Sequence, residues 1–487
     1  MLVLLIVGIC SLAVSLVLTP IFRDFFAFLE MVDQPDARRK LHVRPIPRVG
    51  GISIAITYTF VLAVVLISGS FWKEMLAESG PSLHLLGRLL PAVAIVFATG
   101  LLDDFRGLTP WQKVTGQIVA ACWAFWAGVR PAPFAGHPEL DFWLFPLTVL
   151  WLVFCANAFN LIDGLDGLAS GVALLGAAGL LMAGVIHHHP VLSLAIVPLL
   201  GALLGFLYYN FNPATVFLGD GGSLLIGFLL GCFGLMWHQH AAAGLGPLAP
   251  LMAVAVPTAD VAISIVRRFL RRQPIFYADH NHIHHRLLSL GMTQRKATLV
   301  LYGVSALAVT LAVLQTIVRP RITTMLIVLF AFGAYFGIRK LGYVEFTSAR
   351  NFLFTGEFRR MLRMRICLKE YEDALSKARN LKDCWAAVSE VCAAAGFRYV
   401  ALDLDGEHFE FSGEDGPIEH FPRMLIPLSG DGQMTFVQYT RASASAMWIA
   451  PIVEALEEKL KLERSRKESP ADGASVERLA ALATVTR

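Results

Sequence analysis

Residues 190–208 read PVLSLAIVPLLGALLGFLY and contain no charged side chain. A helix needs about 20 mostly apolar residues to cross the hydrocarbon core of a membrane, so this stretch is long enough to span it. Similar stretches recur up to residue 339. Eleven spans are predicted, at residues 2–22, 49–69, 86–102, 112–129, 143–160, 168–187, 190–208, 223–238, 246–266, 297–318 and 322–339. The sequence therefore predicts an all-α polytopic membrane protein with about 11 transmembrane helices.

The composition agrees with a membrane location and excludes several classes of protein. Of the 487 residues, 56% are hydrophobic and only 16% are charged, whereas a soluble domain carries about 25% charged residues. The seven Cys are scattered, mostly in apolar runs, without a Cys-x-x-Cys pair. They are interpreted as small buried hydrophobic residues. An ordinary soluble enzyme, a collagen-like chain and a secreted disulfide-rich protein are thereby excluded.

The positive charges predict how the chain is oriented. The loops on one face, at residues 23–48, 106–113 and 267–296, carry 15 Lys and Arg, whereas the opposite loops carry five. Lys and Arg are enriched in cytoplasmic loops. We therefore expect the N-terminus outside and the C-terminal segment in the cytoplasm.

Beyond residue 341 the composition changes to that of a soluble segment. We predict a transmembrane domain over 1–341, a basic amphipathic juxtamembrane linker over 342–370 and a disordered tail over 467–487. Between them, residues 371–466 alternate helical and strand patterns, which predicts a small α+β cytosolic C-terminal domain. Its order of elements is similar to that of a GAF- or PAS-type sensor domain.

Acidic side chains are rare in the membrane part and mark sites at the predicted cytoplasmic face. Asp103 and Asp104 close one span, where a divalent cation or a basic phosphate-binding neighbour would relieve their repulsion. The alternative is a helix-end pair exposed to water. Asp220 lies directly before an apolar run, in FLGDGGS (217–223). It can hold Mg²⁺ against a diphosphate at a helix N-terminus, or simply cap that helix.

A polar stripe occupies an otherwise apolar helical segment. Its members recur at every third position: Asn157, Asn160, Asp163 and Asp166. On a helix this spacing turns slowly, so the four side chains lie near one another. Amides and carboxylates suit a sugar, a ribose or hydrated Mg²⁺, and the alternative is polar packing between helices.

Two further segments are rich in imidazole and cationic groups. Residues 279–286 read DHNHIHHR and include His282, His284, His285 and Arg286. Phosphate binding is the favoured interpretation; a transition-metal site and a solvated basic loop are the alternatives. The first cytoplasmic loop contains Lys40 and His42, and it can either cradle anionic head groups or act only as a topology signal.

Together these segments resemble the polyprenyl-phosphate N-acetylhexosamine-1-phosphate transferase superfamily, glycosyltransferase family 4. Five motifs occur in the order of that family between about residues 30 and 300. They are Asp33 with Arg39-Lys-Leu-His and Pro45-Ile-Pro-Arg, Asp103-Asp104, Asn157-x-x-Asn-x-x-Asp-Gly-x-Asp-Gly-Leu, Gly219-Asp220, and His282-Ile-His-His. The last is similar to the bacterial undecaprenyl-phosphate N-acetylglucosaminyl-1-phosphate transferases. The translocase that takes UDP-MurNAc-pentapeptide typically has three consecutive histidines there.

The resemblance implies a role for each motif and a cofactor. Mg²⁺ is the expected cofactor, with Mn²⁺ as the alternative, and Asp220 and Asp104 are its expected ligands. Asp103, Asp104 and Asp220 are the expected catalytic side chains, with Asp103 preferred as the group that orients or deprotonates the lipid phosphate. The substrate-binding set is expected to be Asn157, Asn160, Asp163, Asp166, His282, His284, His285, Arg286, Lys40 and His42.

The implied reaction transfers a HexNAc-1-phosphate, with GlcNAc-1-phosphate preferred, from a UDP-sugar to undecaprenyl phosphate and releases UMP. It would start cell-envelope polysaccharide synthesis, such as that of lipopolysaccharide O-antigen, at the bacterial inner membrane. The expected partners are undecaprenyl phosphate, the UDP-sugar nucleotide and the lipid bilayer, without nucleic acid; a homodimer is compatible with this. The alternatives are a multi-pass transporter, although its sites would lie near the midplane, and a membrane sensor with a cytosolic output domain.

Overall fold

The computed structural model of the chain describes residues 1–33, 45–68, 80–132, 137–240, 248–270, 282–318, 320–341, 357–412, 423–428, 432–438 and 448–468. The chain divides into two compact units, Met1–Glu345 and Phe346–Arg487. Among its described residues, the first unit contains helices and one short two-stranded ladder, and the second unit combines helices with a sheet. Most of the described chain is thus helical, as predicted.

The first unit is a bundle of apolar helices. These are α1 (Leu2–Phe28), α2 (Gly50–Ile67), α3 (Gly80–Arg106), α4 (Pro110–Ala127), α5 (Leu144–Ile162), α6 (Leu168–Ile186), α7 (Pro190–Asn210), α8 (Gly219–His240), α9 (Leu248–Ala253), α10 (Ala255–Leu270), α11 (Ile283–Ser289), α12 (Gln294–Ile317) and α13 (Pro320–Lys340). A 3₁₀ helix over Pro138–Trp143 precedes α5. The antiparallel strands β1 (Val32–Asp33) and β2 (Ile46–Pro47) pair between α1 and α2.

Eight helical stretches in the described part of the chain are long and apolar enough to cross a membrane. They are Leu2–Phe28, Gly50–Ile67, His84–Arg106, Pro138–Ile162, Leu168–Ile186, Pro190–Asn210, Gly219–Trp237 and Gln294–Ile317. Each overlaps a span predicted from the sequence. The protein is therefore a multi-pass membrane protein.

The other three predicted spans fall on α4, on α9 with α10, and on α13. Helix α4 begins with polar side chains, including Gln112 and Lys113. The predicted span 246–266 is interrupted, because α9 ends at Ala253 and α10 begins at Ala255. These segments are not among the eight, so the count of eleven stays a prediction.

Small side chains allow the helices of the bundle to pack closely. Ser11 Oγ of α1 donates to the carbonyl oxygen of Pro198 in α7 at 2.6 Å, and Ser15 Oγ donates to that of Ala202 at 2.8 Å. A Cβ on Gly201 would lie 2.6 Å from the carbonyl oxygen of Gly8. Such contacts hold apolar helices together where burial of apolar surface between them supplies little driving force.

Helix α8 runs through the centre of the bundle and is buried nearly throughout its apolar stretch. Its first turn contacts the backbones of α2 and α3 at glycines. A Cβ on Gly51 would lie 2.3 Å from the backbone nitrogen of Gly222, and one on Gly100 would lie 2.5 Å from the carbonyl oxygen of Asp220. These close approaches place the start of α8, and Asp220 with it, beside the end of α3.

The second unit contains an antiparallel four-stranded sheet. Helices α14 (Glu357–Lys377) and α15 (Leu381–Ala395) precede the strands β3 (Phe397–Leu404), β4 (Glu407–Ser412), β5 (Arg423–Pro427) and β6 (Gln433–Gln438), and α16 (Ile449–Glu468) follows. The strand order is β4-β3-β6-β5. Asp405 and Gly406, both with positive φ, form the tight turn between β3 and β4. A sheet is therefore present in the region 371–466, where strand patterns are predicted from the sequence.

One face of this sheet packs against helices to form a core. The inward side chains of β3, such as Val400 and Leu402, pack with Phe436 of β6 and with buried positions of α15 and α16. The core also includes Met364, so α14 continues across the predicted boundary at residue 370. An α+β unit is therefore present, and its GAF- or PAS-type assignment stays a prediction. The predicted tail lies almost entirely outside the described residues.

Candidate active site

The carboxylate of Asp104 caps helix α8. Its Oδ1 accepts a hydrogen bond from the backbone N–H of Asp220 and its Oδ2 accepts one from that of Gly221, both at 2.9 Å. These N–H groups belong to the first turn of α8, where backbone donors have no partner within the helix. The side chain is 5% exposed. Asp104 thus joins the end of α3 to the start of α8.

Asp103, the neighbour of Asp104, belongs to a different contact. The Lys113 ammonium group of α4 donates to Asp103 Oδ2 at 2.7 Å and to Asn160 Oδ1 at 3.2 Å. It also pairs with the carboxylate of Asp220. Three oxygen-bearing side chains from α3, α5 and α8 therefore surround one positive charge. We call Asp103, Lys113, Asn160 and Asp220 the acidic cluster.

Arg48 adds a second positive charge at the more open side of the acidic cluster. Its Nη2 lies 3.4 Å from Asp220 Oδ1 and 3.9 Å from Asp104 Oδ1, and about half of the side chain is exposed. The loop that carries it is tied to the segment before α8, because the N–H of Phe217 donates to the carbonyl of Pro47 at 2.9 Å. A half-exposed guanidinium beside carboxylates can bind an incoming phosphate.

The two asparagines of the polar stripe in α5 have different partners. Asn160 Oδ1 contacts Lys113, and its amide donates to Ser223 Oγ at 3.0 Å. Asn157 instead pairs with the buried amide of Gln117, with its Nδ2 2.5 Å from Gln117 Oε1. The polar helix packing considered from the sequence is therefore present at Asn157, and its role in substrate binding stays a prediction.

The two aspartates that follow α5 lie in different environments. Asp166 Oδ2 accepts from Asn212 Nδ2 at 2.9 Å and from the N–H of Ala214 at 3.1 Å, so it anchors the loop before α8. Loss of hydration raises the pKa of Asp163 to about 7, and the nearby carboxylates add to this while Arg48 opposes it. Asp163 is thus near enough to Arg48 and Asp220 for their charges to act on it.

The His282–His285 segment begins helix α11 and contacts Gly164, which follows Asp163 of the polar stripe. The rings of His282 and His284 are parallel, with centroids 5.8 Å apart and an interplanar angle of 4°. His284 packs against Gly164, where a Cβ would lie 2.3 Å from its Nε2. Neither ring nitrogen of this buried side chain has a hydrogen-bond partner among the described residues. Burial lowers the pKa of His284 to about 3, so this imidazole is neutral at pH 7.

Of the other predicted site residues, His285 contacts His284, with ring centroids 4.3 Å apart. His285 and Arg286 are half-buried in α11. Lys40 and His42 lie outside the described residues, and their predicted role in substrate binding is not addressed by the structure. Within the described ranges, no three His, Cys, Asp or Glu side chains converge as a metal-binding group. The acidic cluster supplies two carboxylates and one amide oxygen.

Sequence comparisons with known proteins identify the family of the chain. A sequence profile of glycosyl transferase family 4 matches residues 86–238. The chain is 35% identical to the probable undecaprenyl-phosphate N-acetylglucosaminyl 1-phosphate transferase of Bacillus subtilis, over 60% of this chain and 80% of that protein. The chain belongs to glycosyltransferase family 4.

Other members of the family carry related names. The chain is 34% identical to the decaprenyl-phosphate N-acetylglucosaminephosphotransferase of Mycobacterium leprae, over 56% of this chain and 74% of that protein. It is 31% identical to the phospho-N-acetylmuramoyl-pentapeptide-transferase of Streptococcus mutans, over 48% of this chain and 73% of that protein. Relatives named for two different sugars are thus similar to this family 4 chain.

Sequence reasoning missed Lys113 as a member of this family 4 site. The one available signal was a lysine near the start of an otherwise apolar predicted span, ten positions after Asp103. Asp260 is another acidic residue of the membrane part, and the sequence motifs predict no role for it. Both lie within the described bundle, and both contact residues of the predicted motifs.

Proposed function

We propose that this family 4 member transfers GlcNAc-1-phosphate from UDP-GlcNAc to undecaprenyl phosphate and releases UMP. The observation that carries the proposal is the acidic cluster, which collects Asp103, Asp220 and Asn160 around one cationic centre. The relatives named for undecaprenyl- and decaprenyl-phosphate substrates support a polyprenyl phosphate as acceptor. The His282-Ile-His-His sequence favours GlcNAc over the MurNAc-pentapeptide donor.

The acidic cluster fits Mg²⁺ by the chemistry of its donors. Mg²⁺ prefers oxygen ligands and is usually bound by one or two carboxylates together with substrate phosphates. Asp103 and Asp220 are two such carboxylates, and Asn160 adds an amide oxygen. Asp104 was the predicted second ligand, but its oxygens accept from the backbone of α8, so Asp103 is the better candidate. Bound there, the metal would neutralise charge on the diphosphate.

The proposed reaction exchanges one phosphorus–oxygen bond for another. An oxygen of the lipid phosphate forms a bond to the β-phosphorus of UDP-GlcNAc. The bond from that phosphorus to the bridging oxygen breaks, and the oxygen leaves with UMP. Phosphoryl transfer of this kind depends mainly on alignment and on neutralising charge, so few covalent steps are required of the protein.

The side chains around the cluster have separate tasks in this scheme. Arg48 and Lys113 supply positive charge where the diphosphate and lipid phosphate would meet. Asp103 orients the acceptor phosphate or takes its proton. Asp104 holds the start of α8, so its task is to position Asp220. Asp163, with the neutral His284 packed beside it at Gly164, lines the donor side.

The proposal also places the site at the cytoplasmic face of the bacterial inner membrane. Asp103, Asp163 and Asp220 all lie at ends of membrane helices, and the Lys and Arg bias assigns those ends to the cytoplasm. UDP-sugars are cytoplasmic nucleotides, so this orientation gives the donor direct access. The product would begin a cell-envelope polysaccharide on its lipid carrier.

The experiment that tests the function uses the purified full chain in detergent with Mg²⁺, undecaprenyl phosphate and a panel of UDP-sugars. UMP release and the mass of the lipid product are followed. We expect a lipid product from UDP-GlcNAc that disappears with EDTA. No UMP from any donor, with the protein shown to be folded, would refute the transferase and favour a transporter.

Lys113→Met is expected to lower turnover about 100-fold. The substitution removes the charge that offsets Asp103 and Asp220, and these carboxylates then repel each other and the incoming phosphates. UMP release at saturating substrate measures the effect. Lys296→Met, an exposed lysine at the start of α12, is the matched control and should match the wild type. Turnover within twofold of the wild type in the Lys113 variant would contradict its proposed task.

Gly164→Ala is expected to raise the KM for UDP-GlcNAc about tenfold. The added Cβ would lie 2.3 Å from Nε2 of His284, so the buried ring must move. Gly303→Ala adds the same methyl group in α12, where no atom beyond the neighbouring helix backbone lies within 4 Å, and should leave the kinetics unchanged. Equal KM values for both variants would show that the position of His284 does not affect donor binding.

A further inference from the structure

We infer that Asp260 is a positioning residue, which acts on the donor through His282. The inference rests on the proposed function, because it assigns a task to a carboxylate within the same enzyme. Asp260 lies in α10 and is 1% exposed. A carboxylate buried this deeply is costly unless it is paired and hydrogen-bonded.

Both oxygens of Asp260 are used by the segment that starts α11. Asp260 Oδ2 lies 2.9 Å from His282 Nδ1, and Asp260 Oδ1 accepts from the N–H of Ile283 at 2.8 Å. His282 is itself only about 6% exposed. One carboxylate therefore fixes both the ring of His282 and the backbone that follows it.

This contact selects which ring nitrogen of His282 remains for other partners. A carboxylate accepts hydrogen bonds, so Nδ1 must carry the hydrogen and Nε2 is left without one in the neutral ring. The side-chain contacts of His282, to Asp260 Oδ2 at 2.9 Å and to Ser264 Oγ at 3.4 Å, both use Nδ1. A carboxylate paired with one imidazole nitrogen commonly orients the other toward a ligand. Asp260 thus presents Nε2 of His282 in a fixed direction.

The orientation extends to the next imidazole. The rings of His282 and His284 are parallel, and His284 packs against Gly164 next to Asp163. A fixed orientation of His282 therefore also restricts the ring of His284, which contacts Gly164. Asp260, which lies in none of the predicted motifs, connects two of them.

The decisive substitution is Asp260→Asn, which keeps the shape of the side chain. The amide oxygen can still accept from Ile283, but the amide nitrogen now faces His282 Nδ1, and it would force the hydrogen onto Nε2. We expect a KM for UDP-GlcNAc about tenfold higher, with a smaller change in kcat. Thr258→Val removes another buried polar group from α10, whose hydroxyl donates to the local carbonyl oxygens of Val254 and Ala255. It is expected to leave both parameters unchanged.

The double variant tests whether Asp260 acts through His282. If it does, Asp260→Asn in a His282→Ala background adds no further rise in KM, since the two changes remove one interaction. The inference would be overturned if the KM of the double variant rose by the product of the two single effects. A normal KM in Asp260→Asn alone would overturn it as well. If Asp260→Asn does not fold, Asp260→Ser, a smaller polar side chain that removes the carboxylate from His282, is tested in the same cycle. An inactive wild type would refute the proposed function instead.

Discussion

Asp220→Asn is expected to reduce sugar-phosphate transfer at least about 1000-fold while the amount of folded protein stays normal. Asparagine has nearly the same volume, but it removes the negative charge that pairs with Lys113 and faces Arg48. Without this charge the acidic cluster loses one of its two carboxylates for Mg²⁺. The backbone contact to Asp104 is unaffected, because it uses the N–H of residue 220 and not its side chain.

The measurement is UMP release by the purified variant, compared with its thermal unfolding in detergent. Glu139→Gln is the matched control, since it neutralises an exposed carboxylate that contacts only His137 in the described structure. Loss of transfer with an unchanged unfolding temperature supports the cluster as the reaction centre. Normal turnover in Asp220→Asn would remove Asp220 from any catalytic or metal-binding task.

Gly100→Ala is expected to lower activity about 100-fold or more, and to lower the unfolding temperature. The new Cβ would lie 2.5–2.7 Å from backbone atoms of Asp220 and 2.6 Å from Cα of Gly221. Backbone atoms at a helix junction cannot move aside as a side chain can, so α3 and α8 must separate. Overpacking of this kind costs about 1–3 kcal/mol, and it shifts Asp103 and Asp104 relative to Asp220.

Gly87→Ala provides the comparison within the same helix. A Cβ on Gly87 would have only a side-chain carbon of Leu66 nearby, at 3.9 Å. Alanine is also the better helix former, so this variant should be as stable as the wild type or more so. Activity and unfolding temperature are measured for both variants. If the two variants had the same activity and the same unfolding temperature, the α3–α8 contact would not set the geometry of the acidic cluster.

The membrane helices could be predicted well because their signal is local. An apolar run of sufficient length identifies a span without knowledge of its neighbours, and eight such runs coincide with helices of the described chain. The strands of the second unit were predicted for the same reason, from alternation along the chain. The interruption of α9 and α10 was missed, because hydropathy alone does not show where a helix ends.

The composition of the acidic cluster could be predicted only in part. Successive residues of a helix point about 100° apart, so Asp103 and Asp104 face different neighbours. The packing of α3 within the bundle decides which of the two contacts Lys113. Lys113 belongs to another helix, so no helical periodicity connects it to the other members of the cluster. The contacts of Asp166 could not be predicted either, because tertiary packing brings its partners Asn212 and Ala214 to it.

The most direct test of the acidic cluster is a structure of the purified protein determined with Mn²⁺, located by its anomalous scattering. We predict one ion beside the carboxylates of Asp103 and Asp220, with the Lys113 ammonium group no longer bridging them. The same Mn²⁺ concentration should support UMP release from UDP-GlcNAc. An active protein in which Lys113 still bridges both carboxylates and the ion lies elsewhere would contradict the account.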